Sequence, residues 1–261
     1  MQRISAFISG LLLVAVTLLL LPVQMLADRL DWPLARRLPV WWHGFALSRL
    51  GVRIRETGTP CQDRPLLITA NHSSWLDIPI LGSRMPLSFV AKSEVAKWPI
   101  FGLFARLQRC VFVERERRAR TGATTTELAD RLVAGDAMVL FPEGTSSDGN
   151  EVLPFRSALL GAATAAIRGT DASIVRVQPV AILYKRLQGL PVGRYDRPRI
   201  AWYGDMDLVP HLLGVFLLRA IDVEIIWGEP VDLTGDFDRK RLSVELQQRV
   251  SEMVAGEGRS V

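Results

Sequence analysis

The stretch PLLITANHSSWLDIPIL, residues 65–81, decides how the rest of this chain is read. It opens with a short apolar run of strand length, turns through the polar residues 71–74, and continues as a helical pattern over about 75–81. Strand, polar turn and helix in direct succession form the unit from which α/β sheets are built. The turn carries His72, one of three histidines in 261 residues beside His43 and His211, and Asp77 follows it.

Outward from this stretch the same alternation repeats. Further strand candidates are residues 52–56, 87–92, 110–115, 137–142, 174–183, 199–204 and 222–228. Helical candidates lie between them at about 94–107, 124–133, 155–167, 208–220 and 239–254, and Thr124 with Glu127 three residues on reads as a capping box for the second of these. The expected fold class is α/β, with a mostly parallel central sheet flanked by helices. In such sheets reactive groups collect beyond the carboxyl ends of the strands, where both His72 and Glu143 fall.

The amino-terminal part reads differently. Residues 5–27 carry no charge and, as a helix, measure about 35 Å, enough to cross a hydrocarbon core of about 30 Å. The run is longer than the apolar part of a cleaved signal peptide and lacks a clean small-x-small site, so an uncleaved anchor is expected. Arg29, Arg36 and Arg37 follow it and outnumber the one basic residue before it, which places the remainder of the chain in the cytoplasm. Trp32, Trp41 and Trp42 alternate with these arginines, a composition suited to a headgroup interface. The expected organisation is a membrane anchor with an interfacial helix over 1–50 and the globular domain over 51–261. A hydrophobic content of 49%, a mean hydropathy of +0.19 and a net charge of +5 agree with a chain that meets an anionic lipid surface. The two cysteines make neither a ligand spacing nor a disulfide framework.

His72 accepts a proton at neutral pH if its tautomer is fixed, and a carboxylate on one ring nitrogen fixes it. With His72 in the turn and Asp77 in the first helical turn, one side chain can fold back on the other. Ser73 and Ser74 lie in no nucleophile elbow and read as helix caps. Three scattered histidines without paired cysteines supply no metal ligand set, so no metal is expected. The aromatics gather beside the apolar segment instead of on a basic stripe, which argues against nucleic acid. His43 and His211 are read as structural.

Four blocks in order, "NHSSWLD", "AKSEVAKWPIFGLFARLQRCVFVER", "VLFPEGTSSDGN" with "LPFRSAL", and "VQPVAI", resemble the glycerolipid acyltransferase family over about residues 68–183. The resemblance implies that His72 is the general base, that Asp77 orients it, and that Arg115, Glu143, Gly144, Thr145 and Arg156 serve the acceptor. It implies a lysolipid acceptor, an acyl thioester of acyl carrier protein or coenzyme A as co-substrate, no cofactor, and a bacterial inner membrane location with the catalytic domain on the cytoplasmic side. Lys92 and Glu94 are read as an ion pair, Pro99 and Gly102 as backbone devices. Many relatives that acylate lysophosphatidic acid have arginine where this chain has Ser146, and a missing guanidinium removes a bidentate phosphate clamp. The runs around Ser146, "VQPVAILY" and "WYGDMDLVPHL" look like the lyso-ornithine lipid O-acyltransferase subgroup, whose acceptor carries an amino-acid headgroup; a lysophosphatidic acid acyltransferase is the alternative. A catalytically silent lipid-binding module from the same fold is the rival class, and it predicts a broken dyad.

Overall fold

The structure, a computed structural model, describes residues 2–113, 118–158, 160–161, 174–234 and 237–257. The central strand is β2 (Leu66–Ala70), buried at every position. Leu66, Ile68 and Ala70 enter the core layer on one face and Leu67 the layer on the other. A strand covered on both faces needs a continuous apolar run, as found here.

Beside β2 lie β5 (Ala137–Leu140) and β6 (Val175–Leu187), both parallel to it. β3 (Ser88–Lys92) pairs in parallel with β5 and with β4 (Val111–Val113). On the other side β8 (Ile221–Trp227) runs antiparallel to β6 and parallel to β1 (Val52–Thr57). The order is β1-β8-β6-β2-β5-β3-β4, with β7 (Leu190–Pro191) and β9 (Val231–Leu233) pairing antiparallel on β6. The expected mostly parallel sheet is present, with β7 and β9 added.

Helices α1 (Gln2–Arg29) and α2 (Leu34–Leu50) form an antiparallel hairpin, with Trp42 Nε1 donating to Thr17 Oγ1 at 2.9 Å and Gln24 Nε2 to the Ala35 carbonyl at 2.9 Å. Then come α3 (Asp77–Gly82), α4 (Phe101–Leu107), α5 (Arg118–Val133), α6 (Leu208–Leu218) and α7 (Arg239–Glu257). α1 keeps protein contact along its length: Ser5 accepts from Arg219 at 2.6 Å, Gly10 faces Phe216 of α6, and Gln24 also reaches the Leu107 carbonyl. Its opposite face leaves Phe7, Leu11, Val14, Leu18 and Leu19 exposed. Val209, Leu213 and Leu217 form a second exposed apolar stripe on α6, one turn apart.

Four expectations need correction. Residues 199–204 are not a strand: Pro198 lies in a 3₁₀ turn, Arg197–Arg199, and Ile200 and Ala201 are buried against the loop after β2 rather than in a ladder. The helix expected over 94–107 splits, because Trp98 stands before Pro99 in extended backbone and leaves a 3₁₀ turn, Ser93–Lys97, separate from α4. Gly102 closes that break, since a Cβ there would lie 2.5 Å from the Ala96 carbonyl oxygen. The helix expected from Thr124 is already present six residues earlier at Arg118, so Thr124 lies inside it. Lys92 and Glu94 are both exposed, and neither forms an ion pair among the described residues. The helix read over 155–167 lies largely outside the described residues.

Candidate active site

The site is built from two loops that leave adjacent parallel strands. Thr69 of β2 is in register with Leu140 of β5, so His72 and Glu143 stand at the same distance beyond the paired residues. Glu143 Oε1 accepts the His72 backbone N–H at 2.9 Å, and Oε2 accepts Leu153 N–H at 3.3 Å. The Ser147 N–H donates to the His72 carbonyl at 2.8 Å. The two loops therefore hold each other through backbone groups that neither strand can pair.

Within the first loop the chain folds back as the spacing predicts. His72 Nδ1 lies 2.9 Å from Asp77 Oδ2, and the same oxygen accepts the N–H groups of Ser73 at 2.8 Å and Ser74 at 2.9 Å. An ionised carboxylate has no proton to give, so His72 carries its proton on Nδ1 and presents Nε2 as an acceptor. Asp77 is fully buried while the His72 side chain keeps 17% of its surface open. The imidazole stacks on Phe141, ring centroids 4.1 Å apart and planes within 17°. Ser74 Oγ donates to the Ile200 carbonyl at 2.6 Å and Trp202 N–H to the Ser73 carbonyl at 2.8 Å, so the segment 200–202 backs the loop. The geometry is that of an imidazole held in one tautomer, with no partner on Nε2 among the described residues; those residues also hold no cluster of three or more metal-ligating side chains.

The other sequence candidates distribute unevenly. Gly144 turns the chain at φ +77°, and a Cβ there would stand 3.1–3.3 Å from the Arg156 side chain, so the exposed Arg156 lies across this turn. Thr145 is exposed on the same turn. Arg115 lies outside the described residues. His43 is buried on α2 against Gly82, and burial lowers its pKa to about 4. His211 accepts from Trp75 Nε1 at 3.0 Å and ties α6 to the histidine loop.

Glu143 has a titration of its own. Burial raises its pKa to about 7, against the two backbone N–H donors that favour the anion. A carboxyl group whose folded pKa lies above its unfolded value binds more protons when folded. Its contribution to stability is complete below about pH 4.5 and is lost as pH rises through about 7, an effect of at most about 3 kcal/mol. Melting in detergent is therefore expected to weaken from pH 5 to pH 8, and Glu143→Gln is expected to lack that slope. Identical slopes for the two proteins would assign the effect elsewhere.

Three residues of the site carry no sequence signal of their own: Phe141 reads as the end of a strand, Tyr184 falls just past the strand read over 174–183, and Asn71 reads as an ordinary turn residue. Tyr184 O–H donates to Asp77 Oδ1 at 2.6 Å, and the Asn71 side chain bonds both the N–H and the carbonyl of Ile182.

Comparison with known proteins meets this geometry from the other side. The Acyltransferase family profile matches residues 51–183. The chain is 51% identical to a lyso-ornithine lipid O-acyltransferase of Brucella abortus, over 95% of this chain and 92% of that one. It is 48% identical to a protein of the same name from Rhizobium meliloti, over 94% and 84%. A 1-acyl-sn-glycerol-3-phosphate acyltransferase of Neisseria gonorrhoeae is 29% identical over 80% and 78%. The crystal structure of the 1-acyl-sn-glycerophosphate acyltransferase PlsC from Thermotoga maritima shares the fold, with a TM-score of 0.59 over 99% of this chain and 98% of that one at 21% identity. With the profile covering the strands and loops that carry His72, Asp77 and Glu143, and relatives near half identity over nearly the whole length, this chain belongs to the Acyltransferase family.

Proposed function

We propose that this enzyme acylates the hydroxyl of lyso-ornithine lipid at a membrane surface, taking the acyl group from a thioester of acyl carrier protein or coenzyme A. The observation that carries the reaction is the 2.9 Å contact of His72 Nδ1 with Asp77 Oδ2, which leaves Nε2 without a partner among the described residues. His72 Nε2 takes the proton of the acceptor hydroxyl as its oxygen attacks the thioester carbonyl. The tetrahedral intermediate collapses with cleavage of the C–S bond, and the thiolate receives the proton from the imidazolium. No acyl-enzyme forms. Asp77 offsets the charge that develops on the ring, and general-base assistance of this kind is worth about 10²–10⁴-fold.

The acceptor assignment rests on the two relatives near 50% identity and on Ser146, which offers a hydroxyl where a phosphate clamp would need arginine. Arg156, laid across the Gly144 turn, supports the second reading, a lysophosphatidic acid acceptor, because it brings a guanidinium to the same turn. Supplying lyso-ornithine lipid and lysophosphatidic acid separately, each with labelled acyl donor, discriminates the two. A preference of at least about tenfold for the amino-acid lipid, or about 1.4 kcal/mol, is expected. The reverse preference overturns the assignment.

The membrane seat is read from α1 and α6, which pack together where Gly10 faces Phe216 and each carry an exposed apolar stripe. α1 is long and apolar enough to cross a bilayer, yet it keeps contacts with α2 at Thr17 and with the domain at Ser5, Gly10 and Gln24. A helix held along its length against the protein presents its outer face to lipid beside the site. The cytoplasmic face of the bacterial inner membrane is the proposed location, from the basic residues after α1.

A further inference from the structure

Asp77 does its work through two oxygens, and only one faces the histidine. Oδ2 is occupied by His72 Nδ1 and by the N–H groups of Ser73 and Ser74. Oδ1 has one partner among the described residues, the phenol of Tyr184, at 2.6 Å. The two residues are 107 positions apart and belong to different elements.

β6 is built to deliver that phenol. The ladder between β2 and β6 ends at Ala70 opposite Val180, and Asn71 then extends it with its side chain, donating to the Ile182 carbonyl at 3.0 Å and accepting the Ile182 N–H at 2.8 Å. Side chains alternate along a strand, so Val180, Ile182 and Tyr184 share the face that looks onto α3. The clamp on Ile182 thus sets the position of Tyr184 relative to the loop that holds His72. Just beyond Tyr184 the register with β8 shifts by one residue, a bulge of the kind that re-aims side chains beside functional sites.

We propose that Tyr184 is a positioning residue for acyl transfer: its O–H on Asp77 Oδ1 stops the carboxylate from rotating and so holds the tilt of the His72 ring. The inference rests on the general-base reading of His72. The phenol stays protonated, since burial and the Asp77 charge beside it raise its pKa well above 10. Its donated hydrogen bond draws part of the carboxylate's charge away from the imidazole. Among the described residues, the ionisable groups around His72 are Asp77 from α3, Glu143 from the loop after β5 and, through Asp77, Tyr184 from β6; Arg156 lies over Gly144, and Arg197 donates to the Gly149 carbonyl beside Ser73.

Tyr184→Phe keeps the ring and removes the donor. In detergent-solubilised full-length enzyme, kcat is expected to fall about tenfold with KM for acceptor and donor unchanged, because a loosened base costs turnover and not binding. Asp77 then bears more charge toward the ring and stabilises the imidazolium, so the acid limb of the kcat profile moves to higher pH, by up to about one unit. Wild-type kcat and an unmoved limb overturn the proposal. So does a loss of kcat that only tracks a lower melting temperature with the limb in place. His72→Ala is run in parallel: if it still turns over, the base reading fails, whereas an inactive His72→Ala beside a wild-type-like Tyr184→Phe sinks the role of Tyr184 alone.

Discussion

His72→Ala is expected to lower kcat by about 10²–10⁴-fold while leaving a folded, membrane-bound protein. The side chain is partly open, and its removal takes away one hydrogen bond and the stack on Phe141. Asp77 Oδ2 still accepts two backbone N–H groups afterwards, so the buried carboxylate is not stranded. The cost to stability is therefore that of a partly exposed contact, far smaller than the cost to turnover. Kinetics with circular dichroism and a vesicle flotation on the same preparation separate the two. Turnover at the wild-type rate would end the proposal that this ring is the base.

Asp77→Asn is expected to cost a comparable amount, on the order of 10³–10⁴ in kcat, for a different reason. An asparagine can keep its carbonyl oxygen toward Ser73, Ser74 and His72 and turn its amide nitrogen toward the Tyr184 oxygen. The fold then survives, but the negative charge that stabilises the imidazolium is gone. Asp77→Ala differs in kind. It leaves two buried N–H groups without acceptors, each at about 1–3 kcal/mol, and melts at lower temperature. An Asp77→Asn enzyme with unchanged kcat would show that the charge is idle and that Asp77 serves only as a turn-former.

Much of this arrangement can be read along the chain because it is local. Residues 65–81 carry strand, turn and helix in order, and His72 meets Asp77 because five positions of a turn entering a helix bring them together. The same local logic misreads residues 199–204, whose apolar residues are buried against the Ser73–Ser74 backbone and not in a sheet. It misplaces the start of α5 because Thr124 with Glu127 caps a helix only where the backbone leaves the helical region, and here the helix already runs through Thr124 from Arg118.

The amino-acid sequence by itself thus determined the α/β alternation, the apolar amino-terminal helix and the His72–Asp77 pair, since each depends on residues a few positions apart. Only the tertiary structure decided that Glu143 grips the His72 backbone, that Phe141 lies under its ring and that Tyr184 reaches the far oxygen of Asp77. Those contacts join residues 69 to 107 positions apart through the register of β2 with β5 and β6, and strand register is set by the packing of the whole sheet, which no local period encodes.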